Sequence, residues 1–181
     1  MCIRDRTDTK DAFLDLMADN QELVKWMKSK NVMEKIGNTL FVHGGISPEL
    51  VNARLHINYI NQTVRNRLMH GPSNNESDKM DEDFLFATHG PLWFRGLAVP
   101  YRRSYKKSTP KEVKRAIRHF HVDHISIGHT VAMEVSLDYE GSVIRTDVKH
   151  GMEKVSKYSQ GLLIENETLY RVNAKGEKTK L

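Results

Sequence analysis

Two short apolar runs in this chain end on a histidine. In "LFVHGGISPEL", residues 40–50, Leu40, Phe41 and Val42 read as a short buried strand, and His43 stands where it runs out. Gly44 and Gly45 follow, allowing a tight turn and close approach to the backbone. Ser47-Pro48-Glu49 then reads as a helix start, with a hydroxyl cap, a proline at the first helical position and an acid in the first turn. In "HISIGHT", residues 124–130, a second buried strand ends in Gly128-His129. Imidazole is the usual ligand for zinc, iron, nickel and copper. Either histidine alone is equally well a hydrogen-bonded side chain in a turn. Neighbouring strands of one sheet, however, would bring two such ends together.

Between them, "GPLWFRGL" sets Arg95 two residues after Trp93. The Arg95 side chain ends in a planar, bidentate donor, and its plain structural reading is a surface arginine packed on Trp93. Asp147 could orient a ligand imidazole. His150, in "DVKHG", follows a strand that would flank such a site, and His89 lies in the loop "THGPLWF". His119, His121 and His124 fall near a helix C-terminus, where positive charge suits the dipole.

The elements that must position these residues alternate between helix and strand. Helical spacing over Asp11–Lys28, broken near Asn20, predicts that Phe13, Met17, Leu23, Trp26 and Met27 enter the core. "NVMEKIGNTLFV" predicts a hairpin turning at Gly37-Asn38. Helix follows from Ser47 to Met69, interrupted near His56, with Ile57, Ile60, Val64 and Leu68 on one face. Ser73–Asp83 is acidic and aperiodic, which predicts a surface loop. Thr109-Pro110-Lys111-Glu112 opens another helix, burying Val113, Ile117 and Phe120. Hairpins are expected about Glu140-Gly141 and Asn166-Glu167. This is one α/β (α+β) unit.

Bulk properties exclude more than they choose. The 181 residues suffice for one domain with a real core. A net charge of +5, from 28 Lys and Arg against 23 Asp and Glu, mildly favours anionic partners. The single cysteine, Cys2, excludes an internal disulfide, and no apolar run approaches membrane-helix length. "MCIRDR", residues 1–6, lacks a helical or strand pattern and reads as a non-native leader on a unit covering residues 7–181.

"LFVHGGISPEL", "GPLWFRGL" and "ISIGHTVAMEVSLDYEGSVIRTDV", in that order, resemble the C-terminal half of calcineurin-like metallophosphoesterases, closest to the bacterial-type phosphoprotein phosphatases. The resemblance runs from about Asp11 to Leu181. It implies part of a four-layer αββα sandwich, with two mixed β-sheets flanked by helices. It also implies hydrolysis of a phosphorylated substrate, such as phosphoserine or phosphothreonine protein, by water activated between two divalent ions (Mn, Fe or Zn). Carried onto this chain, it makes His43 and His129 ligands of one ion and Arg95 the phosphate clamp. Trp93, Gly44, Thr130 and His150 would line the substrate pocket.

The family also places Asp-x-His, Gly-Asp-x-x-Asp-Arg and Gly-Asn-His-Glu motifs upstream, and none of them occurs here. Rate enhancements for phosphate monoester hydrolysis reach about 10²¹, roughly 28 kcal/mol of barrier, which two histidines and an arginine cannot supply. The expectation is a C-terminal portion that holds metal weakly, is inactive alone and leaves apolar surface uncovered. Two other functions fit parts of the sequence. One is hydrolysis of nucleotides or dinucleoside polyphosphates by the same chemistry. The other is a non-catalytic anion- or nucleic-acid-binding module, suggested by eight Lys or Arg between Arg102 and Arg118 against Glu112 alone. No nucleic-acid motif accompanies that stretch. Compartment stays open between cytoplasm and periplasm.

Overall fold

The computed structural model describes residues 3–98, 101–102, 105–150 and 158–181. Two residues of the leader, and Arg103 of the basic stretch, lie outside that set. The expected hairpin forms from β1 (Met33–Ile36) and β2 (Thr39–Val42), with Ile36 opposite Thr39. Gly37 takes φ +56°, which a two-residue turn of the right twist requires. On its other side β2 runs parallel to β5 (His124–Ile127), and β5 runs parallel to β7 (Val143–Arg145). An antiparallel β6 (Ser136–Asp138) completes a mixed sheet of order β1-β2-β5-β7-β6. The register aligns Val42 with Ile127, and Ile127 with Arg145, so the three parallel strands end in one row.

Parallel neighbours need a crossover. Between β2 and β5 the chain passes through α3 (Pro48–Asn52), α4 (Ile57–His70), α5 (Glu76–Phe86), the hairpin of β3 (Tyr101–Arg102) and β4 (Tyr105–Lys106), and α6 (Pro110–Phe120). Their buried side chains, among them Leu50, Ile60, Val64, Val113 and Phe120, pack on Leu40, Val42, Ile125, Ile127 and Val143 of the sheet. Each such side chain contributes about 1.5–3 kcal/mol when fully buried. A second cluster joins Val135, Ile144 and Val148 to Leu169. Leu169 belongs to β9 (Thr168–Asn173), the centre of a separate antiparallel sheet of order β10-β9-β8, with β8 (Gln160–Glu165) and β10 (Lys178–Lys180) as its edges. Among the described residues no helix is long and apolar enough to cross a membrane.

Two expectations fail. α1 (Ile3–Asp19) and α2 (Gln21–Lys28) form as two helices, but α2 buries no residue, and Phe13, Leu23, Trp26 and Met27 stay 46–58% exposed. Of the sheet and helix elements, α2 packs chiefly on α1 and α4, leaving its apolar face toward solvent. The acidic 73–83 stretch is not a loop throughout. Asn75 caps α5 by accepting from the Ser77 and Asp78 N–H groups, and acids at that end suit the helix dipole. The three histidines near the end of α6 stand where expected, at the helix C-terminus and just beyond it. His119 stacks on His56 at 6.3 Å, His121 is the left-handed cap, and His124 Nδ1 lies 2.8 Å from the Gly141 carbonyl oxygen. Of the six residues expected to be a leader, Ile3 to Arg6 lie within α1, and Met1 and Cys2 lie outside the described residues.

Candidate functional site

The row of strand ends sets His43 and His129 side by side. Gly128 N–H donates to the His43 carbonyl at 2.8 Å, holding the backbone after β5 against that after β2. A Cβ at Gly128 would lie 3.2 Å from that carbonyl oxygen, so glycine suits the approach. His129 then takes a left-handed φ of +60°, and its ring turns back onto His43. His43 Nε2 and His129 Nδ1 end 3.2 Å apart. At that distance one ring can donate a hydrogen bond to the other. The same separation also suits two lone pairs on one ion: with metal–nitrogen bonds of about 2.0–2.1 Å they subtend about 100°, between octahedral and tetrahedral values. The residues present therefore fit a divalent cation as a pair of ligands. Among the described residues no group of three or more His, Cys, Asp or Glu side chains adds to them.

The Arg95 loop is attached to the same strand end. Gly44 N–H donates to the Pro91 carbonyl at 2.8 Å, and Gly45 N–H reaches the same oxygen at 3.3 Å. Trp93 follows, half exposed, its indole edge-on to the His129 ring with centroids 5.5 Å apart. Arg95 is partly buried, and its charge reaches His129. Burial first, then the Arg95 and His43 charges, hold the His129 imidazolium below the ordinary histidine range, while Asp147 pulls the other way. His129 is thus favoured as a neutral imidazole, the form that binds metal.

Of the remaining sequence candidates, Gly44 is buried beneath the loop, and Thr130 N–H turns back to the Gly128 carbonyl at 2.6 Å. Asp147 lies near enough to act on His129, whereas His150 is exposed three residues beyond it. No ring contact or hydrogen bond among the described residues joins His150 to the histidine pair. His89 carries a structural duty: its carbonyl accepts from Ser47 Oγ at 2.7 Å, and its Nδ1 lies 3.3 Å from a Glu49 carboxylate oxygen without hydrogen-bond alignment. Tyr105 is a supporting residue that the sequence did not single out as such. Its hydroxyl donates to the Trp93 carbonyl at 2.7 Å, and its ring meets Phe94 edge-on. The only local signal was an aromatic within a basic hairpin. A cleft of about 360 Å³ opens beside His43, lined also by Phe41, Ser126, Gly128 and Thr146.

Comparison with known proteins identifies the family. The calcineurin-like phosphoesterase family matches residues 4–133. Crystal structures of a cold-active protein tyrosine phosphatase, one of them from a psychrophilic Shewanella species and another a point mutant, superpose with a TM-score of 0.70 at 32% identity. The superposition covers 86% of this chain but only 43–44% of theirs, so the chain spans less than half the length of those structures. No curated protein sequence matches. A family match over most of the chain, with two strand-end histidines and an arginine loop joined at one sheet edge, has a single consequence: the chain belongs to the calcineurin-like phosphoesterase family.

Proposed function

We propose that this chain supplies one side of a metal-dependent phosphomonoesterase site. The separation of 3.2 Å between His43 Nε2 and His129 Nδ1 carries the reading, because it brings two imidazole nitrogens within reach of one cation. Family members bind divalent metal ions. Mn, Fe and Zn all suit mixed imidazole and carboxylate ligands. When bound, such ions supply Lewis acidity toward phosphoryl oxygens and lower the pKa of water to about 7.

The chain's own residues do the rest of what is proposed. Arg95 holds two phosphoryl oxygens through its planar fork, which fixes the ester relative to the histidine pair. Trp93 forms the wall beside His129 and excludes water from one flank. Gly44 and Gly128 let neighbouring backbone come close, at Pro91 and Leu92 and at the His43 carbonyl, where a Cβ would crowd it. Asp147 steadies the His129 ring electrostatically. Two imidazoles make an incomplete ligand set, so we propose that further ligands come from sequence outside this chain and that the chain alone binds metal weakly and turns over little substrate.

The half-exposed Trp93 indole favours one reading of the ester over another. An aromatic wall beside the clamp suits an aryl phosphate, and the similar solved structures are named as protein tyrosine phosphatases. Phosphotyrosine peptide is therefore the first substrate to try, ahead of phosphoserine, phosphothreonine or nucleotides. The test is hydrolysis of each, with Mn, Fe or Zn supplied, by this chain and by a version extended at its N-terminus with the part of a similar solved phosphatase that this chain does not cover. Metal-dependent turnover that falls about a hundredfold in Arg95→Ala is expected. Trp93→Leu should lose more on phosphotyrosine than on phosphoserine. Turnover indifferent to chelator and to Arg95 would overturn the proposal.

A further inference from the structure

The stretch from Arg102 to Arg118 holds eight Lys or Arg and one acid, and its residues 105–108 are hydrogen-bonded to the loop that carries Arg95. Lys106 stands in β4, paired with Tyr101 of β3. That hairpin is fastened to the arginine loop on both sides of Arg95. The Tyr105 hydroxyl donates to the Trp93 carbonyl at 2.7 Å, and Ser108 N–H donates to the Gly96 carbonyl at 2.9 Å. The contact is close: a Cβ at Gly96 would stand 2.9 Å from the Lys106 carbonyl oxygen and 2.3 Å from the Phe94 ring. Lys106 and Lys107 are exposed at this border, and the outward face of α6 continues the charge with Lys111, Lys114, Arg115 and Arg118. Glu112, the one acid, is occupied in the capping box with Thr109. Among the described residues, none of these six cations has a carboxylate within ion-pair distance.

We infer that this basic rim docks acidic peptide flanking the phosphorylated residue, so that the site selects phosphoprotein segments rich in Asp and Glu. The inference rests on the phosphatase reading. Phosphate contact at Arg95 fixes one point of the chain, and carboxylates within about 8 Å of exposed lysines still feel their charge at physiological salt. Single-stranded nucleic acid fits the surface less well. Its bases need a succession of exposed aromatic faces, and here the half-exposed Trp93 offers one while the Tyr105 ring packs on Phe94 with its hydroxyl engaged.

The test uses fluorescence anisotropy with the 181-residue chain and labelled phosphotyrosine peptides of equal length, flanked by Glu, by Ser or by Lys. Glu-flanked peptide should bind about tenfold more tightly than Ser-flanked peptide at low salt, and high salt should erase the difference. The double substitution Lys106→Glu with Lys111→Glu, which spares Lys107 over the Tyr139 ring, should reverse the order of Glu- and Lys-flanked peptides while leaving the melting temperature in place. Equal affinities for the three peptides would overturn the rim, as would a labelled oligonucleotide of matched charge binding more tightly than the Glu-flanked peptide. Hydrolysis of p-nitrophenyl phosphate by the upstream-extended version is measured in parallel. Turnover without acidic preference sinks the rim alone. Acidic preference without turnover, unchanged when the phosphate is removed, sinks its role in substrate choice.

Discussion

Gly44 and Pro91 are joined by a 2.8 Å hydrogen bond, and through it the strand end carrying His43 holds the loop carrying Trp93 and Arg95. A Cβ at Gly44 would lie 2.8 Å from both the Pro91 oxygen and the Leu92 carbonyl carbon, atoms that cannot swing aside. Gly44→Ala should therefore lower stability by about 1–3 kcal/mol and loosen the phosphate clamp. Gly161→Ala, where a Cβ meets nothing within 4 Å, is the comparison. Thermal melts of the two variants decide the matter: equal melting temperatures would mean that the loop is not seated on Gly44.

Asn61 fastens β1 to α4. It is 4% exposed, its Oδ1 accepts from the Val32 and Met33 N–H groups at 3.0 and 3.1 Å, and its Nδ2 donates to the Met33 carbonyl at 2.8 Å. Asn61→Ala leaves these backbone groups without that partner, at about 1–3 kcal/mol for each one left buried and unpaired. Urea unfolding should show a loss of at least the lower figure, and amide exchange at Val32 and Met33 should rise first. A loss no larger than that of the exposed neighbour Asn66→Ala would contradict the assignment.

Tyr139 links stability to alkaline pH. Its hydroxyl donates to the Ser108 carbonyl at 2.8 Å, and burial first, then the Asp138 and Glu112 charges, push its pKa up to about 12. An unfolded tyrosine ionises near pH 10. The folded pKa is the higher one, so this contribution is full below pH 10 and is lost as pH rises through about 12. Wild-type stability should fall more steeply over that window than that of Tyr139→Phe, which has no proton to lose. Parallel urea midpoints for the two across pH 9–12 would refute the linkage.

The histidine pair was legible in the sequence because its signals are local. An apolar β-run, a terminal histidine and adjacent glycine identify each strand end, and parallel neighbours then align the ends. Which nitrogens meet was not legible. That depends on the left-handed turn at His129 and on the Gly128–His43 backbone contact, 85 residues apart in the chain. Periodicity identified the α1–α2 helices but could not say what their apolar faces meet, so Trp26 was wrongly expected in the core. In α5 the acids obscured the pattern carried by Phe84 and Leu85, although the Asn75 cap was present to be read. Tyr105 is a strut only through a partner twelve residues away, and composition marked its hairpin solely as basic.

The central claim is that His43 Nε2 and His129 Nδ1 hold one divalent ion. It is tested most directly by titrating zinc into the 15N-labelled chain and following imidazole nitrogens through long-range proton–nitrogen correlation. The account predicts that those two nitrogens shift together toward the metal-bound position, that His150 and His119 do not move, and that His43→Ala weakens binding by at least about tenfold. Zinc that leaves both rings unchanged, or that binds as tightly to His43→Ala, would contradict it.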